Sequence, residues 1–351
     1  MKILHFPTLI GANPPALAAE ERRLGHESVC IADVPSPFSV ECDQVLMPEG
    51  GSLLRRSVAR WRTSRDLMRT GRFDVVHFNG GQTAFNRYGF AIDVPAWKRR
   101  GTRIVVTFQG TDARPMRALR SPQKHPADAI RDWTKRVHVH RLARLADAAF
   151  VLNPDLLDHV PGSEFVPYAS IDHRQHRVSE GSDSNRLRIV HAPSKRWVKG
   201  TDFVLSARSE LGDAEYDWQL LESLTRAEVG QELDQADIAI DQFRIGWYGA
   251  FSLEAMARGI PTICWIEPRQ LARVPAEFRN ALPLVSCTGQ DLAETIASLR
   301  RDSEYRAEIS ARSREFAVRF HDPRSIARAL TEVYAGTRAD FWSAWNDLGS
   351  D

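Results

Sequence analysis

Residues 237–261 read DIAIDQFRIGWYGAFSLEAMARGIP, and this stretch decides the fold. Near its start, three apolar residues are followed by Asp241, and Ile238–Asp241 is predicted to be a buried strand. Two glycines flanking aromatic residues follow, and a helical pattern then runs over Phe251–Arg258. Gly259 and Pro261 end that pattern in the order usual for helix C-termini. Another short apolar run comes next, so the segment predicts a strand–helix–strand unit of a parallel sheet.

The same alternation extends in both directions from this segment. In the N-terminal half, strands are predicted at Lys2–Phe6, Val29–Ile31, Val75–Phe78, Arg103–Phe108 and Ala148–Leu152. A second series starts at Arg188, after a polar stretch over Ser179–Arg186 that predicts a linker. The predicted fold class is therefore α/β, with two Rossmann-like doubly wound domains facing a central cleft. We place the first at residues 1–178 and the second at 179–334, and we expect a C-terminal helix within 335–351 to pack back on the first.

Composition supports two folded domains. The chain has 351 residues, of which 43% are hydrophobic, and no apolar run is long enough to span a bilayer. Its start indicates a first buried strand and not a signal peptide. The four cysteines lack metal-ligand spacing, which favours free thiols, no metal and a cytoplasmic location. Residues 1–170 contain 24 Lys and Arg against 17 Asp and Glu, which suggests an anionic partner for this half.

Three loops could approach a ligand closely. Gly11 precedes a helix that starts with prolines, although a plain strand–helix turn explains this loop equally well. Lys199 and Arg196 lie on a loop between a predicted strand and helix, where cations oppose the helix dipole unless an anion is bound between them. In residues 246–254, backbone amides near Gly249–Phe251 could cradle a phosphate, and Glu254 could accept hydrogen bonds from a ribose.

This last segment resembles the donor-binding segment of the group 1 retaining glycosyltransferases with the GT-B fold. Their common pattern is Glu-Gly-Phe-Gly-Leu-x-x-Leu-Glu-Ala-Met-Ala-x-Gly-x-Pro, and the chain has Gly249, residues 253–257 (LEAMA), Gly259 and Pro261 in register. The loop around Lys199 is similar to the family's phosphate-binding Lys-Gly. Residues 108–114 (FQGTDAR) resemble its Thr-x-His-Gly-x-Asp segment.

The resemblance implies a nucleotide-sugar donor site in the second domain, with no metal and no cofactor. Glu254 would hold the ribose, Lys199 and Arg196 would neutralise the diphosphate, and Leu224 would lie at the edge of the base. The full set of donor-binding residues expected is Gly11, Arg196, Lys199, Leu224, Tyr248, Gly249, Ala250, Phe251 and Glu254.

Two positions depart from the family pattern. The first Glu of the family's Glu-x7-Glu pair falls at Gly246, and the frequent His falls at Gln109, which cannot act as a general base. Asp241 could replace the missing carboxylate, or it could be a structural turn residue. The predicted catalytic residues are accordingly Gln109, Asp112 and Asp241.

Acceptor contacts are predicted from three residues near strand ends in the first domain. His77 and Asn79 are two of them, with a core or capping histidine as the alternative for His77. Arg114 is the third, although an ion pair between Asp112 and Arg114 explains that pair nearly as well.

The stretch Leu53–Arg69 is amphipathic and rich in arginine. Leu54, Val58, Trp61 and Met68 lie on one side at helical spacing. The first interpretation is a helix packed through that side with a solvated basic face. Docking on an anionic membrane surface to reach a lipid-linked acceptor is the second, and binding of an anionic polymer is the third, although nucleic acid lacks a recognisable module here.

The predicted function is transfer of a sugar from a nucleotide-sugar to a hydroxyl acceptor, a glycan or a lipid-linked glycan, with retention of configuration. Two alternatives stay open. One is a nucleotide-sugar epimerase or hydrolase on the same fold. The other is a non-catalytic nucleotide-sugar sensor or partner subunit, which Gly246 and Gln109 would favour.

Overall fold

The computed structural model describes residues 1–36, 40–47, 51–84, 91–116, 127–179, 181 and 184–348. The linker predicted at Ser179–Arg186 lies partly outside these residues, and residues 349–351 of the predicted C-terminal helix lie wholly outside them. The chain divides into two compact units. The first comprises residues 1–118, 122–170 and 323–351, and the second comprises 119–121 and 171–322.

The first unit is a seven-stranded sheet whose neighbouring strands are all parallel, in the order β3-β2-β1-β4-β5-β6-β7. Its strands are β1 (Lys2–Phe6), β2 (Glu27–Ala32), β3 (Gln44–Val45), β4 (Val75–Asn79), β5 (Arg103–Phe108), β6 (Ala148–Val151) and β7 (Glu164–Phe165). Its helices are α1 (Asn13–Arg23), α2 (Leu53–Thr70), α3 (Val94–Lys98), α4 (Asp128–Leu145), α13 (Pro323–Ala335) and α14 (Phe341–Leu348).

The second unit is a four-stranded parallel sheet in the order β11-β10-β8-β9. Its strands are β8 (Leu187–His191), β9 (Tyr216–Leu220), β10 (Ile238–Ile240) and β11 (Thr262–Ile263). Its helices are α5 (Arg196–Lys199), α6 (Thr201–Leu211), α7 (Arg226–Leu233), α8 (Ala250–Met256), α9 (Pro268–Leu271), α10 (Ala276–Ala281), α11 (Leu292–Arg301) and α12 (Ser303–Phe320).

Alternate residues of β10 enter apolar clusters on opposite sides of the second sheet. Ile238 and Ile240 belong to one cluster, and Ala239 packs with Phe251 in another. Because successive strand side chains point to opposite faces, both faces of this sheet are covered. The predicted doubly wound α/β organisation is confirmed.

The unit boundaries differ from the predicted ones. The chain enters the second unit after Ser170, where 178 was predicted, and returns to the first at Pro323, where 335 was predicted. The return starts early because α13 buries Ile326, Ala327 and Leu330 in the core of the first unit. An amphipathic pattern shows that a helix has a buried face, but it does not show against which sheet that face packs.

The packing of α2 reverses the first interpretation of its sequence. The helix faces the first unit through Arg56 and Arg60, whose Nε atoms each donate to Asp33 Oδ2 at 2.9 Å. Of the four apolar residues expected to pack inward, Leu54, Val58 and Trp61 are exposed and Met68 is partly buried. The inward arginines are stabilised by a buried carboxylate, so α2 is held by ion pairs and leaves its apolar stripe outside.

All four cysteines are free thiols. Within the described residues, the helices include none with the length and apolar character needed to cross a bilayer.

Candidate functional site

Strand order locates a candidate ligand site in each unit. In the second unit the chain runs from β8 to β9 on one side and then crosses to β10 on the other. In the first unit, β1 is likewise flanked by β2 and β4. Such topological switch points open a crevice at the carboxyl ends of the strands, where open α/β sheets bind ligands. The residues that follow β8, β10, β1 and β4 are therefore the candidate ligand-binding residues.

The switch point of the second unit contains a buried ion pair between Lys199 and Asp241. Lys199 ends α5, and its Nζ donates to Asp241 Oδ1. The other oxygen, Oδ2, accepts from the Gly249 amide and the Ser252 hydroxyl, each at 2.7 Å. Asp241 thus ties the loop after β8 to the start of α8.

The charge of Asp241 is stabilised by these neighbours. Burial alone would raise the pKa of this carboxyl, but Lys199, Ser252 and the Gly249 amide outweigh burial and hold the pKa below its ordinary value. The adjacent His191 lies on β8, and its pKa is lowered to about 4, chiefly by burial. Its ring is therefore neutral at physiological pH. Lys199 is the cation that this centre can offer to an anionic ligand.

Glu254 lies on α8, one turn after its first residue Ala250, and its carboxylate is paired with a cation. Arg226, the first residue of α7, donates from Nε to Glu254 Oε1 at 2.7 Å. Burial raises the pKa of Glu254, although Arg226 and Arg258 oppose this. Leu224, two residues before α7, is exposed. Arg226 thus joins α7 to α8 through Glu254, and Leu224 lies two residues before Arg226 in the chain.

Other predicted donor residues have their side chains engaged elsewhere. Tyr248 is fully buried, and its hydroxyl lies 2.9 Å from His321 Nε2, so its side chain is part of the core. The Phe251 ring packs in the apolar cluster beside β10. Arg196 forms a surface ion pair with Glu222. A donor role for Arg196 stays a prediction, and it requires the guanidinium to share or leave Glu222.

The backbone at the start of α8 is only partly available. The Gly249 amide donates to Asp241, which corrects the expectation that it is free. Ala250 and Phe251 belong to the first turn, where backbone N–H groups have no acceptor within the helix. A ligand phosphate at this turn would therefore be bound by these two amides.

Gly246 explains why the family's first carboxylate is missing. Its φ of +79° lies in the left-handed region that glycine favours. A Cβ at this position would lie 2.7 Å from Glu267 Cβ and 2.9 Å from Gln270 Nε2. A side chain at this position would therefore be strained and would have to displace Glu267 and Gln270.

In the first unit, the switch point brings Gly11 and Gln109 together. Gln109 follows β5, and a Cβ on Gly11 would lie 3.4 Å from Gln109 Oε1. Gln109 Nε2 has no hydrogen-bond partner among the described residues. Gly11 was predicted to contact the nucleotide-sugar. It lies beside Gln109, a predicted catalytic residue whose side-chain N–H groups are unpaired among the described residues.

Asp112 supports the backbone of this loop. Its carboxylate accepts from the amides of Gln109, at 2.9 and 3.1 Å, and of Gly110, at 2.5 Å. Burial raises the pKa of Asp112, although these amides and Arg114 oppose the shift. We therefore describe Asp112 as positioning Gln109, and its predicted direct catalytic role is not supported by this geometry.

The predicted acceptor residues are mostly structural. His77 is buried in β4, with Nδ1 2.7 Å from the Tyr334 hydroxyl and Nε2 2.6 Å from the Thr107 hydroxyl. Burial and the neighbouring His5 lower its pKa well below the ordinary value. This is the alternative reading, a core histidine. Asn79 donates to the His77 carbonyl and lines a cavity of about 10 Å³, which accommodates no more than one water molecule.

Arg114 forms an ion pair, but with a different partner from the one predicted. It donates from Nε and Nη2 to the two oxygens of Asp155, at 2.6 and 2.9 Å. Both residues are largely buried, and the pair joins the loop after β5 to the segment after β6. Arg114 therefore stabilises the loop that carries Gln109, and an acceptor contact by Arg114 stays a prediction that requires the guanidinium to share or leave Asp155.

Sequence reasoning missed Arg226 and Ser252 in the second unit and Asn153 in the first. Asn153 Nδ2 donates to the Gln109 carbonyl at 2.6 Å. Ser252 was identifiable, since it lies on the quoted segment three residues after Gly249. Arg226 is 28 residues from Glu254 in sequence, and no spacing rule connects them.

Comparisons with known proteins agree with this architecture. Residues 14–172 match the family described as "Glycosyl transferase 4-like domain". No curated protein sequence is similar enough to count as a relative. Several solved structures share the fold at low identity.

A sucrose-phosphate synthase from Thermosynechococcus elongatus is 13% identical, with a TM-score of 0.70 over 96% of this chain and 99% of that chain. HepE from Anabaena, solved with UDP and glucose, is 14% identical, with a TM-score of 0.67 over 96% and 100%. A putative UDP-N-acetylglucosamine 2-epimerase from Listeria monocytogenes is 15% identical, with a TM-score of 0.54 over 96% and 97%.

At these identities the structural likeness shows the fold alone. Residues 14–172 are similar to a glycosyl transferase 4-like domain, and the chain as a whole has the predicted GT-B fold of two Rossmann-like units.

Proposed function

We propose that this protein transfers a glycosyl group from a nucleotide-sugar to a hydroxyl acceptor, with retention of anomeric configuration. The single observation that carries the proposal is that Lys199 Nζ lies beside Gly249, directly before α8, and that Glu254 lies one turn into the same helix, at the switch point of the second sheet. A buried cation next to a helix N-terminus suits a diphosphate, and a carboxylate one turn away suits ribose hydroxyls. Structures of HepE with UDP and with UDP-glucose support a uridine nucleotide as the first donor to test.

The chemistry asked of these residues is stabilisation of a leaving group. The bond from the anomeric carbon to the diphosphate oxygen breaks, and the bond to the acceptor oxygen forms. Negative charge then grows on the diphosphate, where the Lys199 ammonium and the amides of Ala250 and Phe251 would stabilise it. In this scheme the leaving phosphate accepts the acceptor's proton, so that no general base is needed at Gln109. Retention rests on the family resemblance.

Ligand binding must also rearrange the resting ion pairs. Lys199 already neutralises Asp241, and Arg226 already binds Glu254. Asp241 accepts three hydrogen bonds within the protein, which favours a positioning role for it over direct contact with the donor sugar. We infer that a donor diphosphate shares Lys199 with Asp241, and that Arg226 stays beside Glu254 at the ribose.

The function is tested by product analysis. Purified protein is incubated with UDP-, GDP-, dTDP- and ADP-sugars and a panel of glycan and lipid-linked glycan acceptors. Nucleoside diphosphate release is measured, and the anomeric configuration of any product is read by NMR. The proposal predicts acceptor-dependent release and an α product from an α-linked donor. Inversion would contradict the mechanism, and epimerised or hydrolysed donor without acceptor would support the rival enzyme classes. Donor binding without turnover across the panel would favour the sensor or partner subunit.

A further inference from the structure

The exposed apolar side chains of the first unit are concentrated on one side of its sheet. Among its described residues, the large hydrophobic side chains that are exposed lie only on α2, on α4 and just before α3: Leu53, Leu54, Val58, Trp61, Ile92, Ile130, Trp133 and Val137. Parallel strands are joined by right-handed crossovers. The crossover from β1 to β2 moves in one direction along the sheet, and those containing α2, α3 and α4 move in the other. The rule therefore places α2, α3 and α4 together on the face opposite α1.

On α2, the outward stripe is apolar at its start and basic further along. Leu54, Val58, Trp61 and Arg65 follow one another at helical spacing on the side opposite the buried Arg60. Leu54 is 61% exposed, and Val58 and Trp61 are also exposed. The Arg65 guanidinium lies 5.0 Å from the centre of the Trp61 ring. The stripe is thus a preformed surface of apolar and cationic groups.

On α4 the same arrangement recurs independently. Ile130, Trp133 and Val137 form its outward stripe, and Arg141 and Arg144 continue it. Val139 and Leu142 are buried on the opposite side of the helix. Ile130 is 68% exposed and Trp133 is 58% exposed, so these are not side chains at the margin of a core. Two helices therefore present matching stripes.

Both stripes point their apolar halves toward the same edge of the sheet. Helix α2 ends at Thr70, five residues before β4 begins, and α4 ends at Leu145, three residues before β6 begins. The C-termini of both helices are thus near the amino ends of the strands. Each helix is about 27 Å long, since an α-helix rises ~1.5 Å per residue, so the apolar N-terminal halves extend to the carboxyl edge. That edge also carries Gln109.

The charge of this face is strongly positive. Besides the inward Arg56 and Arg60, helix α2 carries four exposed arginines, at 55, 62, 65 and 69, against one aspartate, and α4 contains five basic and two acidic residues. Arg99 and Arg100 add two exposed positive charges after α3, where Lys98 is paired with Asp147. An anionic polymer would use this charge but gives no reason to expose leucine, isoleucine and tryptophan. A bilayer surface uses both, because apolar side chains insert at the headgroup boundary and arginines contact anionic lipids.

We propose that the outward stripes of α2 and α4 form a docking face for an anionic lipid bilayer. We define the docking face by Leu54, Val58, Trp61, Ile130, Trp133 and Val137 with Arg65 and Arg141. The proposal concerns binding alone and does not depend on glycosyl transfer. It commits to lipid as the partner, and a protein or nucleic-acid partner for the same surface would overturn it.

The test is sedimentation of the full-length protein with lipid vesicles at low and high salt. One set of vesicles contains phosphatidylcholine alone, and the other contains added phosphatidylglycerol. Wild-type protein should partition to the anionic vesicles, and high salt should weaken this. Trp61→Ser with Trp133→Ser, and separately Arg65→Glu with Arg141→Glu, should each reduce the partition coefficient by at least about tenfold. The matched control is Leu205→Ser with Tyr305→Ser, two equally exposed residues of the second unit, which should bind like wild type.

Thermal melts establish that each variant is folded, as expected for exposed positions. No vesicle binding by wild type, equal binding to uncharged vesicles, or an equal loss in the control variant would overturn the proposal. Sedimentation velocity measures the oligomeric state of wild type and the tryptophan variant, and titration with a nucleic-acid duplex measures nucleic-acid binding. An oligomer that the tryptophan variant dissociates, or nucleic-acid binding without vesicle binding, would assign the face to another partner and also overturn it.

Discussion

The strongest prediction concerns the ion pair between Lys199 and Asp241. Replacing Asp241 by Asn keeps the shape of the side chain and removes its charge. The Lys199 ammonium then stays beside a neutral amide in a site where its own side chain is only 11% exposed. Replacing Lys199 by Met leaves the opposite defect, a fully buried carboxylate that keeps only the Gly249 and Ser252 donors.

Each single change should be costly, and the double change should be less costly than their sum. Breaking a buried pair by removing one partner destabilises proteins by ~3–5 kcal/mol, because one charge is left uncompensated. The double variant buries no charge. Its amide at position 241 keeps one acceptor oxygen for the Gly249 and Ser252 donors, so that the remaining loss is about 1–2 kcal/mol. The coupling energy from the double-mutant cycle should therefore be at least ~2 kcal/mol.

The assay is denaturant unfolding followed by tryptophan fluorescence and circular dichroism, on wild type, both single variants and the double variant. Lys195→Met is the matched control, since Lys195 is exposed on the same loop and should change stability little. The pKa of Asp241 is depressed in the folded protein, so its stabilising effect is complete above its ordinary pKa of 3.8 and is lost as pH falls through the folded value. The gap between wild type and Asp241→Asn should accordingly shrink in acid.

Additive losses in the cycle would refute this reasoning. So would a stability gap between wild type and Asp241→Asn that stays constant down to strongly acidic pH. Either result would mean that Lys199 and Asp241 do not interact as a buried pair in solution.

Three further predictions follow from the packing around the candidate sites. Gly246→Glu should not supply the family's missing carboxylate, and it should destabilise the protein by about 1–3 kcal/mol from backbone strain alone, measured by denaturant unfolding. Tyr248→Phe should cost about 1 kcal/mol through the lost hydrogen bond to His321 and leave nucleotide affinity unchanged by calorimetry; a large loss of affinity would restore Tyr248 to the donor site. Because His77 has a pKa well below 6.5 in the folded protein, wild type should lose stability as pH falls below 6.5, and His77→Gln should flatten that dependence in urea titrations at several pH values.

The alternation of strands and helices was predictable because both periodicities are local. Residues 237–261 contain a strand, its loop and its helix in 25 consecutive positions. Both series of strands and helices, one in each unit, could be predicted from apolar runs separated by helical patterns. The candidate donor region could be predicted for the same reason, since Gly249, Ser252 and Glu254 all lie on that one segment.

Long-range pairing was not predictable from spacing. His77 reaches Tyr334 across 257 residues of sequence, and Arg226 reaches Glu254 across 28. Sequence spacing does not show that polar residues at strand ends have distant partners. His77 and Arg114 were therefore predicted to contact the acceptor, whereas the structure pairs them with Tyr334 and Asp155. Only the three-dimensional arrangement distinguishes a satisfied histidine from an available one.

Helix α2 shows where hydrophobic patterning gives the wrong direction. Its apolar stripe predicts inward packing, but Arg56 and Arg60 reach Asp33, which lies more than 20 residues earlier and directly after β2. A buried carboxylate can make a basic side of a helix its inner side. The sequence contains both partners without any signal that joins them.

The position of the donor site is tested most directly by calorimetric titration. UDP, and any other nucleoside diphosphate that binds, is titrated into wild type and two donor-site variants. Lys199→Met should weaken the diphosphate by about tenfold or more, as expected for a charged hydrogen bond worth ~1.5–3 kcal/mol. Glu254→Gln should weaken nucleotide but not inorganic pyrophosphate, and the control Lys195→Met should bind like wild type. Unchanged affinity in both donor-site variants, with a nucleotide bound elsewhere, would contradict the assignment of the donor site to the switch point of the second sheet.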